Sequence, residues 1–177
     1  MKGSFYVLGI DPGRASGWGL VRDDSPSPGV WIATGIAKTA ADRASAIQTA
    51  KGMAEQDGVP LIVVGERWQG GWRKDRSSAR TVSGIGAQWG RWQEALEAAG
   101  IPKRRILRVG QSTWRAKVIG GRVARTTEQW DHAMIMAARV FYGVEVTADE
   151  AAALLIARWG TRAAEVEAVL PKRRVSA

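Results

Sequence analysis

Two short runs of water-avoiding residues, each followed by an acid, limit what this chain can fold into. Phe5–Ile10 reads FYVLGI and meets Asp11; Leu61–Val64 reads LIVV and meets Glu66 after one glycine. Compact runs with β-branched and aromatic content, bounded by turn-formers, make buried strands. An unbroken apolar run suits a central parallel strand, covered on both faces. Gly17–Val21 and Val30–Ala37 read as two further strands, and Asp23–Gly29 has the Ser, Pro and Gly content of a hairpin connection. The N-terminus is therefore expected to be a three-stranded antiparallel meander.

The period then changes. Ala46, Ile47, Ala50 and Met53 fall on one face of a helix over Arg43–Gln56. A second helix is expected over Ser77–Ala99, stopped by Gly100 and Pro102. Ile106–Val109 reads as a fifth strand and Gln111–Arg125 as a basic, irregular segment. Thr126–Tyr142 reads as a helix ending at Gly143, and Thr147 caps a last helix from Ala148 to about Trp159. This order predicts an α/β fold, one five-stranded mixed sheet flanked by helices. A length of 177 residues without repeat or linker suits a single domain over 1–177, with a basic tail from about Pro171.

Composition removes several function classes. The chain has no cysteine, so disulfides and cysteine-bound zinc are excluded, and His132 is the sole histidine. No apolar stretch is long enough for a membrane span, and Met1–Ile10 is too short for a signal core. A cytoplasmic protein is the expectation. With 26 Lys and Arg against 17 Asp and Glu, the net charge is +9, a field that attracts polyanions such as nucleic acid. From Lys103 to Arg125 there are eight basic residues and no acid. Trp114 lies among them, with Arg115, Lys117, Arg122 and Arg125. Trp68 and Trp72 stand beside Arg73, Lys74 and Arg76 in the segment after Glu66. Basic side chains interleaved with tryptophan suit phosphates and unstacked bases, so these ten residues are the expected DNA surface. Trp18, Trp31 and Trp159 are expected in the core.

Three acids sit where an apolar element ends or begins: Asp11, Glu66 and Asp149. In α/β sheets functional groups gather at the carboxyl ends of strands. If the first and fourth strands are neighbours, Asp11 and Glu66 stand side by side. Such a pair is costly without a cation, and hard divalent ions take oxygen ligands. Two of these acids also have a plainer reading, Asp11 as a turn residue before Pro12 and Gly13 and Asp149 as a helix N-terminal acid; Glu66, directly after an apolar run, would be partly buried and need a partner.

The motifs carrying these acids resemble those of RuvC-type Holliday junction resolvases, of the ribonuclease H-like superfamily. GIDPGRASGWG (Gly9–Gly19) is similar to the family's opening motif and LIVVGERWQ (Leu61–Gln69) to its second. TADEAAALLIA (Thr147–Ala157) is similar to its last, and WRAKVIGGRVAR (Trp114–Arg125) to its basic segment. The resemblance implies a ribonuclease H-like fold and two-metal phosphodiester hydrolysis. Asp11 would bridge two Mg²⁺ ions about 4 Å apart, with Glu66 and Asp149 each holding one; Mn²⁺ could substitute. It further implies 5′-phosphate and 3′-hydroxyl products and a homodimer that nicks a four-way DNA junction symmetrically. By the same resemblance, the helix carrying Gly84, Gly86 and Gly90 would serve self-association; packing against the sheet is the alternative reading of those glycines.

One departure stands out. The family places two carboxylates three residues apart on the last helix, whereas here Asp149 has Ala152 at that spacing. Glu150 is the available supporting acid, although one residue turns it well away from Asp149's face. Three readings stay open: three carboxylates suffice, Glu150 supports them, or the chain binds junctions without cutting them. DPGRASGWG also resembles the phosphate motif of actin-like kinases, but those enclose a nucleotide between two such domains. Another ribonuclease H-fold nuclease, acting on branched DNA or RNA, is the remaining alternative. A compact chain of this kind would suit a phage or other mobile element.

Overall fold

The computed structural model describes residues 4–13, 15–24, 27–67, 76–120, 126–163 and 166. Strand β1 (Phe5–Asp11) is followed by β2 (Gly17–Asp24), β3 (Ser27–Ile36), helix α1 (Ala40–Gln56), β4 (Leu61–Arg67) and α2 (Arg76–Ala98). Then come β5 (Ile106–Gly110), the short α3 (Gln111–Arg115), α4 (Thr127–Tyr142) and α5 (Ala148–Gly160). The five strands form one mixed sheet in the order β3-β2-β1-β4-β5. β1, β2 and β3 pair antiparallel, while β1–β4 and β4–β5 pair parallel.

The alternation of side chains along β1 builds two cores. Phe5 and Val7 face one side with Ile62, Val64 and α5; Tyr6, Leu8 and Ile10 face the other with Val63, α1 and α2. Trp92 and Leu96 of α2 are fully buried in the second core. Every residue of α5 from Ala151 to Gly160 is buried, as expected of a helix that is apolar on all sides. It lies so close to the sheet that a Cβ at Gly9 would stand 2.1 Å from the Ala153 carbonyl oxygen. Glycine is therefore required there for backbone contact rather than for a turn.

Most expected elements form within a few residues of their boundaries. α1 starts earlier than Arg43 because Thr39 and Asp42 make a reciprocal capping box, which satisfies the first-turn N–H groups. The segment expected to be irregular after Gln111 instead forms α3 and a π-helical turn over Ala116–Gly120. Trp159 is in the core, Trp18 packs at its margin, and the Trp31 side chain lies outside the described set. Among the described residues, no helix is long and apolar enough to cross a membrane.

Candidate active site

Parallel pairing of β1 with β4 puts Ile10 opposite Gly65, so the next residues, Asp11 at the end of β1 and Glu66 one residue before the end of β4, stand at one level. The first turn of α5 meets this edge at Gly17, where a Cβ would stand 2.0 Å from the Asp149 carbonyl oxygen. That contact brings Asp149 beside β1. A Cβ placed on Gly13 would lie 3.6 Å from Asp11 Oδ1 and 3.7 Å from Asp149 Oδ1. The two carboxylates thus flank one small space that any larger residue at position 13 would enter.

Asp11 feels both of the other acids. Burial, then the charges of Glu66 and Asp149, push the Asp11 carboxyl up to about 8, against opposition from the Gly13 amide and Arg115. Gly13 N donates to Asp11 Oδ1 at 3.2 Å. Glu66 is only 6% exposed. Its Oε2 accepts from Trp114 Nε1 at 2.8 Å and its Oε1 from Gln111 Nε2 at 3.1 Å. Burial raises the Glu66 pKa, while Trp114, Arg115, Gln111 and Arg108 pull it down. Asp149 is raised by burial and by the charges of Asp131 and Glu150. Among the described residues, no three His, Cys, Asp or Glu side chains already close around a single ion.

Several expected roles change. Trp114 was expected on a DNA surface, but it is fully buried and spends its N–H on Glu66. A ring without solvent access cannot stack on a base. Glu150 was expected as a supporting acid, but its Oε2 accepts from Thr147 N at 3.0 Å and Thr147 Oγ1 at 2.8 Å. It is the return half of the α5 capping box, so that oxygen is already used. Arg115 was expected along the DNA track. It is half-buried at the carboxylates, with its guanidinium 4.8 Å from the Trp130 ring and its charge felt by Glu66, Asp11 and Asp131.

Other expectations meet the structure only in part. Lys117 is exposed on the π-helical turn, and His132 is exposed on α4. Trp68, Trp72, Arg73, Lys74, Arg122 and Arg125, and the Arg76 side chain, lie outside the described residues. On α2, a Cβ at Gly84, Gly86 or Gly90 would meet nothing within 4 Å. Packing within the chain is therefore not what requires glycine there. Ala152, on the core-facing side of α5, is 1% exposed and offers no ligand.

Asp131 was not anticipated. It precedes the buried Met134 and Ala138 on the same face of α4, and its charge acts on both Asp149 and Arg115. A lone acid in a polar helical turn gives no signal in sequence; only the packing of α4 on α5 reveals it.

No family model and no curated protein matches the chain. Among solved structures, Thermus thermophilus RuvC bound to a Holliday junction substrate superposes with a TM-score of 0.59 at 18% identity, covering 86% of this chain and 90% of that one. A second Thermus thermophilus RuvC structure gives 0.55 at 22% identity, covering 86% and 91%. The fold is that of RuvC. The five-stranded mixed sheet with helices on both faces is thereby the expected ribonuclease H-like architecture. In this RuvC fold Asp11, Glu66 and Asp149 come from β1, β4 and α5, as the sequence motifs suggested.

Proposed function

We propose that this chain is a divalent-metal-dependent nuclease that resolves four-way DNA junctions. One observation supports this most: at the carboxyl edge of the sheet, Asp11 of β1 lies between the charges of Glu66 from β4 and Asp149 from α5. Burial, then the charges of Glu66 and Asp149, push the Asp11 carboxyl up to about 8, so it would ionise at neutral pH only beside a cation, and the space beside Gly13 lies between two oxygen donors. The donor set is all oxygen, which fits Mg²⁺ or Mn²⁺ and not zinc.

Asp11 would be shared between two ions, with Glu66 and Asp149 each holding one. When bound, such ions lower the pKa of a water and neutralise charge on a phosphodiester. The remaining work falls to side chains. Trp114 and Gln111 fix both oxygens of Glu66, and the Thr147–Glu150 cap fixes the start of α5 and so Asp149. Arg115, half-buried beside the acids, would hold a scissile phosphate, while Lys117 and the basic residues around it would track the DNA backbone. With Ala152 unable to ligate, Asp131, whose charge acts on Asp149, would be the acid to complete the set.

A homodimer through the open glycine face of α2 would present two such sites to one junction, giving symmetric nicks. The chain would act as a single domain on branched DNA in recombination or repair. Cleavage of a labelled four-way junction beside linear duplex, with Mg²⁺ and with chelator, tests the reading. Symmetric cutting of the junction alone, lost with chelator and in Asp11→Asn, is expected. Junction binding without cutting in any divalent metal would leave a binding protein, the reading Ala152 favours.

A further inference from the structure

On the opposite face from α5, helices α1 and α2 leave a cleft of about 320 Å³ between them. Its walls carry Arg43 and Gln48 from α1 and Arg91 and Glu94 from α2, over alanines of both helices such as Ala44 and Ala98. Arg43 is only 6% exposed, and its Nε and Nη1 are buried with no hydrogen-bond partner. An unsatisfied buried guanidinium is costly, and the cost disappears when an anion supplies acceptors.

Neighbouring acids do not satisfy it. Asp42 is committed to the α1 cap, its Oδ2 accepting from Lys38 N at 2.9 Å and Thr39 N at 2.8 Å. Glu94 lines the cleft but is exposed. Two arginines against one glutamate leave the cleft cationic. Lys51 lies below it, its Nζ donating to the Ala99 carbonyl at 3.0 Å.

The cleft also has a position relative to the carboxylates. Asp11, Gly17 and Ile36 form one row across β1, β2 and β3, spanning about 10 Å at ordinary strand spacing. Four residues after Ile36, Ala40 begins α1 and lines the cleft. The upper end of the cleft therefore opens toward the same edge of the sheet as the acids.

We propose that this cleft binds a phosphate group, with Arg43 as buried anchor and Arg91 at its mouth, and that a DNA backbone phosphate occupies it when a junction lies across the carboxylate edge. Arginine matches phosphate oxygens in a way a point charge does not. The DNA source rests on the nuclease reading above; phosphate binding itself does not.

The test pairs inorganic phosphate with a junction, in chelator throughout. Phosphate, compared with chloride at equal ionic strength, should raise the melting temperature of the unmodified protein. Arg43→Gln should weaken that binding about tenfold, and the rim variant Arg91→Gln less. Junction affinity measured across salt should show its log–log slope reduced by about one in Arg43→Gln. Phosphate binding lost with an unchanged slope would keep the phosphate site and assign it to a free phosphorylated molecule. No junction binding at all would sink the nuclease reading, while the phosphate arm still reports on the cleft. Glu94→Gln guards against misfolding of the Arg43 variant: removing the competing carboxylate should tighten phosphate binding. If Glu94→Gln instead lowers stability with no gain in phosphate affinity, Glu94 is the internal partner of Arg43 and the inference falls. It falls equally if phosphate does not stabilise the unmodified protein.

Discussion

Trp114 Nε1 donates a 2.8 Å hydrogen bond to Oε2 of Glu66, joining two residues 48 apart in sequence inside the protein. The bond fixes the rotamer of an acid that burial would otherwise favour protonating. It also explains why a tryptophan sits in the most basic stretch of the chain: its apolar ring belongs to the core and its N–H to the site.

Trp114→Phe keeps an aromatic side chain but removes the donor and part of the buried indole, so a cavity term adds to the lost bond. Leaving a buried acceptor short of a partner costs about 1–3 kcal/mol, seen as a lower melting temperature. Because this bond holds the Glu66 pKa down, its loss raises that pKa. The acid limb of any metal-binding or cleavage profile should therefore move to higher pH. An unmoved limb would mean that Glu66 does not titrate in the measured event.

The Asp11 carboxyl predicts an unusual pH dependence of stability in chelator. Its unfolded pKa is near 3.8 and its folded value about 8, so between these values the unfolded state releases a proton that the folded state keeps. Its stabilising contribution is complete below about 4 and is lost as pH rises toward 8. Thermal melts in chelator should show a fall over that window, and Mn²⁺ should restore stability most strongly at its upper end. In Asp11→Asn the fall should shrink and the Mn²⁺ effect should be much reduced.

Asp131 and Ala152 test how the carboxylate set is completed. Asp131→Asn should weaken Mn²⁺ binding by calorimetry about tenfold while changing melting temperature little in chelator, since the residue is only half-buried. Ala152→Asp buries a new charge and should destabilise the metal-free protein. Combined with Asp131→Asn, it should recover Mn²⁺ affinity. If Asp131→Asn binds Mn²⁺ as well as the unmodified protein, Asp131 serves only as a counter-charge to Arg115.

On α2, glycine is unnecessary for packing within the chain. Gly86→Ala should stabilise the monomer by up to about 1 kcal/mol through helix propensity alone. Gly86→Trp should leave the monomer folded and shift the species seen by light scattering from dimer to monomer. An unchanged mass distribution would place self-association elsewhere or remove it.

The strands themselves were legible, with an acid at the carboxyl end of each apolar run; that β1 and β4 are parallel neighbours, which brings Asp11 level with Glu66, was only a condition in the sequence and is supplied by the sheet. The same local signals misled at Trp114. Its flanking basic residues suggest solvent, and the carboxylate that buries it lies far away in sequence. Glu150 could have been read correctly, since Thr147 and Glu150 stand at capping-box spacing. Asp131 could not, because its meaning depends on α4 crossing α5. Arg43 was hidden similarly: it looks like one more surface cation on α1 until α2 closes over it.

The close seat of α5 on β1 and β2 has a wider effect. Gly9 and Gly17 hold its backbone against the strands, so the height of Asp149 is set by core residues rather than by an adjustable loop. Substitutions that thicken that contact will shift the Asp149 carboxylate as registration errors even when the protein still folds. Variants selected only for thermal robustness could therefore separate Asp149 from Asp11 without any change at an acidic position, and screening for melting temperature alone would not detect it.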